Sequence, residues 1–388
     1  MPLNAVFVRR RMEAWAQLPG NELVVVAPVP YFPKLPFSTL RAWEQFAEVP
    51  QAESPWGYNI YHPRYVVTPK FGMQFYGRWM ARATLKLAQT LHQRHRFDVI
   101  DAHYVYPDGE AAIALGDALG LPVVLSGRGT DLTLYPTLSA IRPRIVDSLS
   151  RASHLVCVSN ELRQVAQSLG VSKERVSVIG NGIDAALFQP IEKIRARNAL
   201  GLPQDARLLL SVGQLKENKG FHILIEALLQ LPALCQNQSA RVRLLIVGEG
   251  PERRALEQLI KRLRLSDQVI LVGAIAQDQL PNWYAASDLF LLASAREGWP
   301  NVLCEAQAMG LPVVASRAWG IPEIVRNSDL GLLVPERSPA AFAMSIAQAL
   351  QRPWDPAYIA KEGSKRTWSV VATEVDDVLK AARAAFVQ

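Results

Sequence analysis

Apolar residues fall in short continuous blocks separated by stretches with helical spacing. The first block, residues 22–29 (ELVVVAPV), predicts a strand buried on both faces. A Pro- and aromatic-rich stretch, 30–73, is too irregular for one element. Helical spacing over 74–94 follows, then strands at 97–102, 122–126 and 154–159, with helices near 108–119 and 139–151 between them. A short strand at 176–179 precedes the turn Asn181-Gly182. A second series begins at 207. Its strands read at 207–212, 242–247, 269–272, 288–292, 312–315 and 331–334, and its helices at 219–231, 252–264, 278–286, 300–309, 321–327 and 338–351. Strands alternating with helices predict an α/β chain with parallel, doubly wound sheets. Two series joined near 185–205 predict two Rossmann-like domains facing a cleft, with ligands outside the carboxyl ends of the strands.

The N-terminus departs from this scheme. Residues 6–18 (VFVRRRMEAWAQL) read as a helix with Val8, Met12 and Trp15 on one face, so the first strand of the first domain is missing. Either the start codon is placed too far downstream, the favoured reading, or the domain does without a central strand.

Composition narrows the class. The 388 residues suit two domains or three, and 49% hydrophobic content excludes a disordered chain. The longest apolar blocks, such as 289–293, fall far short of the roughly 18 residues a membrane span needs. The start carries no secretory signal pattern. Cys157, Cys235 and Cys304 are scattered, which argues against a disulfide framework or structural zinc and fits a cytoplasmic location. The net charge of +7 points to an acidic partner. Between Ser54 and Phe97 there is no acidic residue; Arg64, Lys70, Arg78, Arg82, Lys86, Arg94 and Arg96 alternate with Trp56, Tyr58, Tyr61, Tyr65, Phe71, Phe75, Tyr76, Trp79 and Phe97. This stretch reads as an anionic membrane surface patch or as a plain solvated face. A nucleic-acid patch has no motif to support it.

The sharpest chemistry lies in EGWPNVLCE, 297–305, after a strand. Glu297 falls in the loop, Gly298 turns the chain, Pro300 suits the first helical position, and Glu305 points from the second turn. The free N–H groups of that turn make an anion site. The layout suits a sugar nucleotide: Glu297 for sugar hydroxyls, the amides near Asn301 and Val302 for phosphate, and Glu305 for the ribose diol.

With these residues the chain resembles the retaining glycosyltransferases of family 4, which have the GT-B fold. The stretch 297–326 is similar to that family's donor signature, and the closest-looking members build bacterial exopolysaccharide and teichuronic acid. The resemblance implies an acceptor-binding domain, 1–186, with a crossover helix, 366–388, and a donor-binding domain, 187–365. It implies that Lys219 binds the donor diphosphate. Gln214 stands where the family has an arginine, which removes half of the usual phosphate clamp. Gly213, Gly248, Ile275 and Trp299 join the donor side; base contacts run through the backbone at 272–275. VGEGPER (247–253) fails as a dinucleotide fingerprint, because Arg253 replaces the third glycine, and this disfavours an oxidoreductase.

In the first series His103 follows FDVIDA. A lone histidine is commonly a satisfied structural residue, but this place at a strand end, and the family's histidine there, imply contact with the transferring sugar. In SGRGTD (126–131), Gly129 permits close approach to a ligand, Arg128 or Asp131 touches the acceptor, or Asp131 only caps the next helix. No histidine cluster and no Asp-x-Asp pair is present, so neither a metal nor another cofactor is expected. The implied activity is transfer of a sugar from a nucleoside diphosphate sugar to an acceptor hydroxyl with retention. The acceptor implied is a lipid-linked saccharide of cell-surface polysaccharide, met by a cytoplasmic enzyme peripheral to the membrane. The alternatives are an inactive relative acting as a binding module and a nucleotide-sugar epimerase of the same fold.

Overall fold

The computed structural model describes residues 6–31, 46–68, 72–234 and 242–387. Residues 1–5 and 388, and with them Lys70, Phe71, Cys235 and parts of the irregular stretch, lie outside the described residues. The chain divides into two compact units, Met1–Gly180 with Ser369–Gln388, and Asn181–Trp368.

The first unit opens with helix α1 (Val6–Ala16), and among the described residues no strand precedes it. The expected strand at 22–29 is not one buried strand. It is two short pieces, β1 (Val25–Val26) and β2 (Val29–Tyr31), only partly buried. The N–H groups of Val25, Ala27 and Val29 all bond to one neighbour, at Asn59, Tyr61 and Pro63. Pro28 and Pro30 alternate with them and have no N–H to offer on the opposite side, which marks an edge. The partners are β4 (Ile60–Tyr61), itself antiparallel to β3 (Ala52–Glu53), and β5 (Arg64–Val66).

The main sheet of this unit is β6 (Ile100–His103), β7 (Val123–Gly127), β8 (His154–Cys157) and β9 (Val176–Val178), all parallel and in that spatial order. Strand β7 is buried at all five positions, as a central parallel strand should be. Among the described residues β6 pairs with β7 alone. Helix α2 (Tyr76–His95) buries Gly77, Met80, Ala81, Thr84, Ala88 and Leu91, spaced for one face. The C-terminal helix, Trp368–Val387, is tied to the start of the chain: the Trp15 indole and the Asn21 amide both donate to Asp376 Oδ1, at 3.0 and 2.9 Å.

The second unit is a six-stranded parallel sheet: β10 (Arg207–Val212), β11 (Val242–Val247), β12 (Val269–Gly273), β13 (Leu289–Leu292), β14 (Val313–Ser316) and β15 (Gly331–Val334). The spatial order is β12-β11-β10-β13-β14-β15, so the direction of winding reverses between β10 and β13. Alternate residues feed two cores. Leu209, Leu244, Ile246, Leu289, Leu291 and Val314 pack on one face with Phe342. Leu208, Leu210, Leu245, Phe290, Leu292 and Val313 pack on the other with Tyr284 and Phe188. Helices Asn160–Ser168, Lys193–Leu200 and Pro356–Gly363 were not expected, and the helix foreseen at 321–327 is only Ile321–Ile324.

Candidate active site

In an open parallel sheet the loops at the point where winding reverses splay apart and leave room for a ligand. In the second unit these are the loops after β10 and β13. They carry Lys219 and Glu297, whose Nζ and Oε1 form an ion pair at 2.5 Å. Ser294 Oγ donates to the same carboxylate oxygen at 2.7 Å. The two loops are also tied through the backbone, Ala295 N–H to Asn218 O at 2.8 Å. Gly220 makes this approach possible. Its φ is +72°, and a Cβ there would stand 2.3 Å from the Ala293 carbonyl oxygen. The main chain of Glu297 is held in turn by Gly320 N–H at 3.0 Å, and the Arg296 guanidinium lies over the Trp319 ring.

The neighbouring loop after β11 closes against the loop after β10. A Cβ on Gly248, at φ +141°, would stand 1.9 Å from the Gly213 oxygen, so only glycine fits. Gly213 and Gly248 therefore meet backbone to backbone. Gln214 is exposed in the same loop. Ile275, Trp299 and Val302 are half-buried against the core and line the carboxyl end of the sheet as apolar support.

Pro300 corrects the expected helix start. It is the N-cap of α4 (Asn301–Ala308), with φ −77° and ψ 94°, because its carbonyl accepts the first helical bond, from Leu303 N–H, while its own backbone stays extended. Gly298 precedes it in the loop. Asn301 Oδ1 is engaged by the Asn181 amide at 3.0 Å. Glu305 faces inward from α4 and is 7% exposed. The hydroxyl of Tyr284, on α3 (Leu280–Ala286), donates to Glu305 Oε2 at 2.7 Å. Burial raises the Glu305 carboxyl to about 7, with hydrogen bonds from Tyr284 and Gln277 pulling the other way.

In the first unit the predicted residues form one network at the carboxyl ends of β6 and β7. His103 is the last residue of β6. Its Nδ1 accepts from the Arg128 guanidinium at 2.8 Å, and its Nε2 lies 3.4 Å from Met12 Sδ on α1. Burial, with Arg11 and Arg128 nearby, holds the imidazole well below its usual range, hence neutral. Both ring nitrogens thus have partners within the unit. Arg128 is buried, and desolvation beside Arg11 lowers its guanidinium to about 9. Asp131, 1% exposed, is not a helix cap. Its carboxylate accepts N–H bonds from Val105, Arg128 and Gly129, at 2.9, 3.1 and 2.8 Å, and so ties the loop after β7 to the loop after β6. Gly129, at φ +156°, makes the turn between them.

Arg11, Asp101, Ser126, Ser294, Tyr284 and Gln277 belong to these networks without being candidates from the sequence. Arg11 is 2% exposed and reaches Asp101 Oδ2 at 2.5 Å and Ser126 Oγ at 3.0 Å. Ser126 is the penultimate residue of β7 and Ser294 lies two residues past β13, a signal available in the sequence. Tyr284 carried no signal, since its spacing in the helix is that of any core aromatic.

Residues 192–366 match the family described as glycosyl transferases group 1, and residues 7–187 match glycosyltransferase family 4. The chain is 30% identical over 356 residues to a teichuronic acid biosynthesis glycosyltransferase of Bacillus subtilis, covering 90% of this chain and 85% of that protein. It is 26% identical over 295 residues to N-acetyl-alpha-D-glucosaminyl L-malate synthase of Bacillus anthracis, covering 76% and 75%. Among solved structures, sucrose-phosphate synthase from Thermosynechococcus elongatus superposes with a TM-score of 0.72 at 22% identity, covering 87% of each chain. The Anabaena protein HepE in complex with UDP and glucose gives 0.69 at 24% identity, covering 91% of each. The chain therefore belongs to the family 4 glycosyltransferases, with the GT-B fold, and is a glycosyltransferase.

Proposed function

We propose that this glycosyltransferase takes its sugar from a nucleoside diphosphate sugar held at the reversal point of the second unit's sheet. The observation that carries this is the Lys219–Glu297 pair at 2.5 Å, next to the N-terminus of α4. A lysine and the free amides of a helix start are the groups a diphosphate needs, and a carboxylate beside them accepts sugar hydroxyls. Glu305, one helical turn further on, holds the ribose diol. The HepE structures with UDP and with UDP and glucose support a donor of this class.

Transfer proceeds with retention. The acceptor oxygen attacks the anomeric carbon on the face the diphosphate leaves, and the acceptor proton passes to the departing phosphate oxygen. No separate general base is required. Lys219 and the first amides of α4 stabilise the charge that builds on the diphosphate. This supplies the stabilisation that a metal ion would otherwise give, so turnover is metal-independent. The acceptor is a lipid-linked saccharide of cell-surface polysaccharide, in keeping with the teichuronic acid relative. The exposed stripe Arg78, Arg82 and Lys86 on α2, with Phe75 exposed before it, supports docking on an anionic membrane surface. No helix of the described residues is long and apolar enough to cross a membrane.

Product analysis by proton NMR tests the reaction: the anomeric configuration of the donor should persist, and EDTA should leave the rate unchanged. An inverted product, or loss of activity in EDTA, contradicts this reading. Sedimentation with anionic vesicles should carry the protein down at low salt and release it at high salt; no association at low salt contradicts the membrane site.

A further inference from the structure

Glu305 is an unusual choice for a ligand-binding carboxylate. It is almost fully buried, among the described residues no cation pairs with it, and its polar neighbours include Tyr284 from α3, Gln277 from the turn before α3, and the Cys304 thiol on its own helix. A buried carboxyl without a counter-charge favours its neutral form. A neutral carboxyl gives one acceptor position to its own proton and lacks the charge-assisted bonds with which a carboxylate accepts from both hydroxyls of a diol. The ionised form is therefore the better ribose ligand, and two donors from other elements favour it, the Tyr284 hydroxyl and the Gln277 side chain, of which Tyr284 stands first. Tyr284 is 0% exposed, sits in an aromatic cluster edge-on to Phe188 and beside Phe290, and directs its hydroxyl at Glu305 Oε2 from 2.7 Å.

We propose that Tyr284 is a positioning residue for donor binding: its hydroxyl fixes the rotamer of Glu305 and holds the carboxylate ionised to receive the nucleotide's ribose. This rests on the donor-site reading above. The phenol itself cannot release its proton near neutrality, since burial and the Glu305 charge raise it well above its usual value. It acts only as a donor, and Tyr284 need not touch the ligand.

Donor affinity then follows the ionisation of Glu305. With the carboxyl near 7, affinity should strengthen about tenfold from pH 6 to pH 8, because the ionised fraction rises by that factor. Tyr284→Phe keeps the ring and the aromatic packing but removes the donor. The midpoint should then move to higher pH, so that affinity falls about tenfold at pH 7 and returns as the pH is raised.

The test is calorimetry with UDP-, GDP-, ADP- and TDP-glucose, whose diester phosphates do not titrate in this range, on wild type, Tyr284→Phe and Glu305→Gln. Carbon-13 NMR of labelled glutamate side chains follows the Glu305 titration in the same proteins, with Glu305→Gln as the assignment control. An upward shift of the Glu305 midpoint in Tyr284→Phe, with affinity recovered at high pH, supports the proposal. An unchanged midpoint, or a loss of affinity that high pH does not restore, overturns it. Glu305→Gln should weaken binding at every pH. If it binds like wild type, or if none of the four ligands binds, the donor-site reading fails instead.

Discussion

At the residue scale, Glu297 Oε1 is held twice, by the Lys219 ammonium at 2.5 Å and by the Ser294 hydroxyl at 2.7 Å. Glu297 and Lys219 are legible because they lie in loops that follow buried strands, and Glu305 because it stands eight residues from Glu297 beyond a Gly and a Pro; the structure pairs the first two at 2.5 Å. Arg11 and Tyr284 were not legible, because each lies within a helix and acts across a gap in sequence, 90 residues to Asp101 and 21 to Glu305. Asp131 was legible as a polar residue in a glycine loop but not in its role, because its backbone partner Val105 lies 26 residues away. The ion pair makes a specific prediction. Lys219→Ala should weaken nucleoside diphosphate binding by roughly 1.5–3 kcal/mol, the worth of a charged hydrogen bond. Glu297→Gln should leave that affinity no weaker while cutting kcat by about a hundredfold or more, as for a group that acts on the transferring sugar. Calorimetry and initial rates separate the two. Equal kcat in Glu297→Gln and wild type would remove Glu297 from the mechanism.

At the scale of elements, the second unit was read closely. Its six strands bury alternate residues in two cores, and continuous apolar blocks of that kind are hard to mistake. The first unit was read less well, for a physical reason. Its block at 22–29 has the composition of a central strand, but Pro28 within it and Pro30 just beyond it offer no N–H to a second neighbour, and its N–H groups at Val25, Ala27 and Val29 bond on one side. Helix α1 lies beside this region and inserts Arg11 against β6 and β7, with Arg11 and Asp101 side chains 3% and 7% exposed. A buried ion pair is weak evidence of net stabilisation, but removing one partner leaves a bare charge. Arg11→Met should therefore cost about 3–5 kcal/mol, most of it from Asp101, and thermal unfolding should show it. Asp101→Asn in the same background should recover a large part of the loss. If the double variant is no more stable than the single, the pair is not what holds α1 in place.

At the scale of the whole molecule, a chain of net charge +7 with a family 4 glycosyltransferase fold carries a cation and a helix start at the reversal point of one sheet. With Gln214 uncharged, Lys219 is the cationic side chain that the proposed donor site relies on. The proposed donor site requires that the second unit bind a nucleoside diphosphate. The most direct measurement is the melting temperature of the purified protein with UDP, GDP, ADP and TDP in turn. A ligand at about a hundred times its dissociation constant adds roughly 2.7 kcal/mol, a shift of several degrees. Such a shift is expected with one base, and its loss is expected in Lys219→Ala. A folded protein whose melting temperature no nucleotide moves would contradict the proposed donor site.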